Sequence, residues 1–154
     1  MMTTKILFAA LFCFITLVSC NALTGKEVAR VTFTRLPDPE NPRFQYATLT
    51  LANGQKIQFW SDMDLEYDDF QVIEFYVQLP VDMNLPPIRL NALQKDITIG
   101  ETRTVIGNHV SWRFTGRIGS FEAPAAGTYK FSTLLNPSLN PTLQLKKAAL
   151  VFKE

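Results

Sequence analysis

The densest chemistry-bearing run in this 154-residue chain is Asp62, Asp64, Glu66, Asp68 and Asp69, five carboxylates within eight residues. Oxygen ligands on a flexible turn suit Ca²⁺, a hard cation that takes about six to eight of them. A structural calcium site on Asp62, Asp64, Glu66 and Asp68 is therefore one reading. Against it, the run has no Gly where an EF-type loop turns sharply, and Met63 and Leu65 alternate with the acids as in an amphipathic segment. A solvated acidic loop following a strand is the favoured expectation, with no cofactor.

His109 is the only histidine and sits beside Gly107 and Asn108. One histidine cannot build a multi-His zinc site, and no Gly-x-Ser-x-Gly elbow supplies a nucleophile for it to activate. An exposed turn residue is expected. Glu74, Glu101 and Glu122 add carboxylates, but no spacing selects the pair that glycoside hydrolysis needs. The chain reads as a non-enzymatic protein, with an envelope hydrolase the weakest alternative.

Aromatic side chains offer recognition instead. If Ile57 and Phe59 face a core, then Trp60 lies on the opposite face, and Ile73, Phe75 and Val77 place Phe70 and Tyr76 likewise; Phe44 and Tyr46 belong to the same group. Exposed together, Trp60, Phe70 and Tyr76 would make a sugar-stacking platform or a protein-binding patch. The competing expectation is that loops or the C-terminal strand cover these rings.

The elements that must position these groups are strands. From Val28 onward apolar residues recur with period two, and Gly, Pro, Asn and Asp break them at short intervals. Expected strands are 28–36, 43–52, 55–61, 70–79, 88–99 (one strand or two), 102–106, 109–116, 127–134 and 142–152. Asn53-Gly54 predicts a hairpin with a three-residue Ala52-Asn53-Gly54 loop and Gly54 left-handed, because only that register puts Leu49, Leu51, Ile57 and Phe59 on one face. Gly107-Asn108 predicts a two-residue hairpin that aligns Val105 with Val110 and Trp112. The inward set is then Ala29, Val31, Phe33, Leu49, Leu51, Ile57, Phe59, Ile73, Phe75, Val77, Leu79, Ile97, Ile99, Val105, Val110, Trp112, Phe114, Tyr129 and Phe131. One apolar and one wet face per strand imply an all-β protein: an antiparallel β-sandwich or jelly roll in a single domain over residues 27–154.

The run Val110-Ser111-Trp112-Arg113-Phe114-Thr115-Gly116, with Ala123 to Phe131 after it, is similar to strand pairs of carbohydrate-associated sandwiches of the PA14 type. That resemblance implies the fold and no function.

The N-terminus carries a polar head with Lys5, an apolar stretch from Ile6 to Val18 and then small residues, too short to span a bilayer. Leu17-Val18-Ser19-Cys20 resembles the lipobox of bacterial lipoproteins. The resemblance implies a signal peptide over 1–19, acyl chains on Cys20 and a membrane tether over 20–26; Asn21 after the Cys implies the outer membrane. Several acyl chains hold far more firmly than one, at about 0.8 kcal/mol per buried CH₂. Plain secretion, with cleavage after Ala22, is the alternative. Taking 19 residues from 154 leaves 135, and losing Lys5 from 15 basic and 14 acidic residues leaves a neutral domain. Zero net charge gives no electrostatic reason to bind nucleic acid. Cys13 and Cys20 are the only cysteines, so residues 27–154 can form neither a disulfide nor a thiolate metal site. The expected partner is an envelope protein or a glycan. An immunity or inhibitor protein, plugging a basic enzyme site with the acidic loop, is the alternative.

Overall fold

The computed structural model describes residues 24–154; the leader, the lipobox and both cysteines lie outside the described residues. Among the described residues the chain forms β1 (Glu27–Phe33), β2 (Gln45–Leu51), β3 (Lys56–Asp68), β4 (Ile73–Gln78), β5 (Ile88–Asn91), β6 (Ile97–Ile106), β7 (His109–Glu122), β8 (Gly127–Pro137) and β9 (Gln144–Lys153), with a short 3-10 turn at Val81–Met83. These make two antiparallel sheets, a five-stranded one ordered β1-β9-β3-β7-β6 and a four-stranded one ordered β2-β8-β4-β5.

The strand order has a simple origin. β1 pairs with β9, β2 with β8, β3 with β7 and β4 with β5, so the two halves of the chain run against each other as one long antiparallel ribbon. The ribbon bends over the core and closes on itself where β9 meets β3 and β8 meets β4. This is a jelly roll. β6 is the strand outside that ribbon, added to the free edge of β7 by a hairpin. Apart from β4–β5 and β6–β7, each connection crosses from one sheet to the other.

That crossing corrects the Asn53-Gly54 hairpin. β2 and β3 are not partners; they are consecutive stretches of one side of the ribbon, in different sheets. The local turn forms nonetheless, with Gln55 N bonded to Ala52 O at 3.1 Å and Gly54 at φ +76°. Both sides of the ribbon bend together there, since Gly54 N donates to Ala123 O and Ala123 N to Gln55 O. On the Ala123 side, Tyr129 Oη donates to Ala125 O at 2.6 Å and fixes the β7–β8 bend. Leu51, Ile57 and Phe59 still reach one core because both sheets turn an inner face to it.

The interior is aromatic. Phe59 and Phe152 from the larger sheet meet Phe131 from the smaller one at 6.2 and 5.2 Å between ring centroids, and Phe121 lies 5.6 Å from Phe131. Of the expected inward residues, those on β1 to β4, β7 and β8 are buried or packed against this core. The exceptions belong to β6: Ile99 and Val105 are exposed, and Ile97 packs on the outer face. Replacing Phe131 by Ala removes the ring where both sheets meet, and chemical denaturation should show a loss of about 3–5 kcal/mol.

Candidate functional site

The acidic run is not a loop. β3 continues through it to Asp68, so the alternation of Met63, Leu65 and Tyr67 with the acids is strand periodicity, and Asp62, Asp64, Glu66 and Asp68 line the outer face of a central strand. Cations on the flanking strands pair with them. Arg30 and Lys147 approach Asp62 at 2.7 and 2.6 Å, Arg113 holds Asp64 at 2.7 Å, Lys146 bonds to Glu66, and His109 Nδ1 lies 2.8 Å from Asp68. Arg30 reaches Asp62 from β1 diagonally across β9, since Arg30 is opposite Val151 and Asp62 opposite Ala149. No group of three His, Cys, Asp or Glu side chains suited to a metal exists among the described residues. The row is a charge ladder along a strand, where a solvated loop was expected.

His109 and Ser111 project from β7 on this same face. The imidazole Nε2 lies 4.0 Å from Glu66 and the Ser111 hydroxyl bonds to Glu66 at 3.4 Å. Both thus face one carboxylate rather than each other, which is not the geometry of an activated nucleophile.

Trp60, Phe70 and Tyr76 occupy three separate places. Trp60 does face outward from the core, yet it is fully buried: Ala149, Val151 and Ile97 surround it and Lys153 Nζ sits 4.2 Å over the ring. Its indole N–H is satisfied by Gln58 Oε1 at 3.1 Å. Burial pulls the Lys153 ammonium below the ordinary lysine range. Tyr76 is half-buried on the outer face of the smaller sheet, under Arg89 at 5.7 Å, and Tyr46 on that face lies under Lys130 at 4.1 Å. Trp60 is therefore a second small core, covered as the competing expectation held, and the three rings form no common platform.

Phe70 alone is open, at 76% exposure, and its surroundings are built. Asp69 before it adopts the left-handed conformation at φ 64°, uncommon for a residue with a side chain, which turns the chain at the end of β3. Three loops are tied together here. Asp69 N donates to Asn108 O at 2.8 Å, and Asn140 Nδ2 donates to Asp68 O and Phe70 O at 3.1 and 3.3 Å. Gln71 Nε2 bonds to Ser138 Oγ at 3.0 Å, and Ser138 N to Val72 O at 2.8 Å. Phe70 and Leu139 (95% exposed) lie on two of these loops, and Ile106 (73% exposed) ends β6 beside the third. The side-chain amides of Gln71 and Asn140 thus tie together the segments that carry these exposed apolar side chains.

This tip lies at the end of the sandwich opposite Lys26, which exchanges backbone bonds with Glu154 at 3.0 and 2.9 Å. Glu27, Gln58 and Lys153 share the Lys26 end, and Asp68 with His109 the other. The length of β3 separates the ends by about 40 Å. A cleft of about 370 Å³ lies along 33–45 and is lined by Arg35, Leu36, Asp38 and Arg43.

The overhang of β6 was missed from sequence. Its inner face carries Glu101, Arg103 and Val105 beside Phe114, Trp112 and Val110. Trp112 Nε1 donates to Glu101 Oε1 at 2.7 Å, Lys95 Nζ bonds to the same oxygen at 2.8 Å, and Lys95 and Arg103 lie 4.6 and 4.7 Å from the Trp112 ring. Two charged residues on a face assigned to the core were the available signal.

The ladder makes stability fall with acid. Partial burial raises the Asp62 carboxyl, but Lys147 and Arg30 outweigh it and hold it below its ordinary 3.8; Lys146 holds Glu66 below 4.5. With folded values depressed, the unfolded chain binds more protons as pH falls, so the stabilisation is complete above the ordinary carboxylate range and lost below it. The melting temperature should be level above about pH 5 and drop steadily toward pH 3. Asp62→Asn should cost about 1–2 kcal/mol at pH 7 and flatten that drop. Compared with known proteins, the chain matches no protein family, no curated protein and no solved structure.

Proposed function

We propose that this chain is a lipid-anchored, non-enzymatic protein of a bacterial cell envelope, held by Cys20 and binding an envelope protein through the tip formed by Phe70, Ile106 and Leu139. The observation that carries the reading is the tip itself: three exposed apolar side chains, two on loops and one at the end of β6, where Asn108, Asn140 and Ser138 bond the segments together at the end remote from Lys26. Burying one such side chain against a partner is worth about 1.5–3 kcal/mol. A protein partner fits better than a glycan, because sugar stacking needs aromatic faces and Phe70 is the single aromatic at the tip.

Two measurements test this. Cys20→Ala should move the protein from the membrane to the soluble fraction and abolish its labelling by radioactive palmitate; retention in the membrane contradicts the anchor. A photo-reactive amino acid at position 70 in the full-length protein in cells should give a cross-linked species, whereas the same group at Thr50, exposed on the smaller sheet, should not. Equal labelling at both positions contradicts the tip. Phe70→Ser should leave stability within about 0.5 kcal/mol, since the ring touches no core.

A further inference from the structure

Beyond the tip, we propose that a second copy of this chain pairs with β6, edge to edge and antiparallel, about a two-fold axis at Thr102. An unpaired edge strand is a template for another strand, and proteins ordinarily blunt such edges with Pro, Lys, bulges or brevity. β6 has ten residues, neither Pro nor Lys, and one bulge, between Thr98 and Gly100; beyond it Glu101–Ile106 runs regular and exposed. β6 is the last strand of the larger sheet, and every one of its residues after Ile97 is exposed.

The ladder dictates which groups are free. The two-residue loop at Gly107-Asn108 is closed by the Ile106–His109 pair, and alternation then directs the N–H and C=O of Thr102, Thr104 and Ile106 to β7. Those of Glu101, Arg103 and Val105 point to the free edge. A symmetric pair can centre on Glu101, Thr102 or Arg103 within the charged stretch. Centring on Glu101 or Arg103 sets like charges face to face, which is destabilising. Centring on Thr102 sets each Glu101 opposite the other copy's Arg103, and does so at positions whose backbone groups are both free to bond.

The side chains are prepared for this register. Lys95 and Trp112 both bond to Oε1 of Glu101, leaving Oε2 without a hydrogen bond among the described residues. Arg103 lies over the Trp112 ring and makes no ion pair among the described residues. Each copy thus offers one unpaired guanidinium and one unpaired carboxylate oxygen, on one face and two residues apart. The contact is isologous, as a two-fold requires. The bulge confines the ladder to Gly100–Thr104 of each copy, so the interface falls in the small, weak class and depends on confinement at a surface. β1 and β6 run in the same direction at opposite edges of the larger sheet, so the two tethers leave from opposite ends of the joined sheet. Both lipids reach one bilayer with the sheet lying along it, and the two tips then face outward at its ends.

Disulfide trapping of the full-length protein in cells tests the register. Across the axis the two Thr102 Cα atoms form a non-hydrogen-bonded pair about 4.5 Å apart, within disulfide reach. Thr102→Cys should give a dimer on mild oxidation, and Thr104→Cys, whose copies lie about 13 Å apart in this register, should give several-fold less. Both variants retain the same natural cysteines. Adding Glu101→Arg or Arg103→Glu singly to Thr102→Cys should reduce the dimer about tenfold, and adding both should restore it. Equal trapping at 102 and 104, no trapping at 102, or no rescue by the double exchange would overturn the pairing. A position-70 cross-link that persists in any of those cases leaves the tip standing, and its loss with trapping intact removes the tip alone.

Discussion

In a two-layer β protein each strand of one sheet needs a strand of the other beneath it, and here five strands rest on four. The rolled ribbon satisfies eight strands in matched pairs, and the aromatic cluster of Phe59, Phe121, Phe131 and Phe152 fills the space between them. β6 comes ninth, with its hydrogen bonds met by β7 alone and no layer below. What distinguishes its inner face from its neighbours follows: charged Glu101 and Arg103 replace apolar residues, and Lys95 leans over Trp112 and Phe114 to shield the last rings of the core. Gly116 makes that possible, because a Cβ there would stand 2.6 Å from the Lys95 Cδ.

The outer face of the larger sheet answers a different demand. β3 lies at the middle of that sheet, where four carboxylates in a row would repel one another by their spacing along the strand. Arg30, Lys147, Lys146 and Arg113 on either side cancel that field. Where the row ends, Trp60 replaces an acid, and Ala149, Val151 and Ile97 replace the cations around it. One face thus divides into a charged part that stays wet and an apolar part that stays dry.

Much of this was legible from residue types. Period two gave the all-β class, Gly54 and Gly107 marked two turns in which both are left-handed, and the parity of Ile57 and Phe59 correctly sent Trp60 to the outer face. Parity says which face a side chain takes, and burial depends on what lies beside it. Trp60 is covered by residues some 90 positions later, at Ala149 and Val151, and no local pattern carries that. The Asn53-Gly54 hairpin failed for the same reason: a turn fixes a reversal of direction, while the jelly roll's long-range pairing decides whether the next strand stays in the sheet. Phe70 is legible as an outward aromatic, but the loops bonded around it, through Asn108 and Asn140, meet only in the fold. The acids of β3 were read as a loop because five carboxylates suggest solvent; their alternation with Met63 and Leu65 was the better guide.

β6 has one edge bonded to β7 and the other free. Amide hydrogen exchange on the dilute protein measures this directly, residue by residue. The N–H groups of Thr102, Thr104 and Ile106 should be protected while those of Glu101, Arg103 and Val105 exchange at rates close to an open chain. Uniform protection along 101–106, or alternation in the opposite phase, would contradict it.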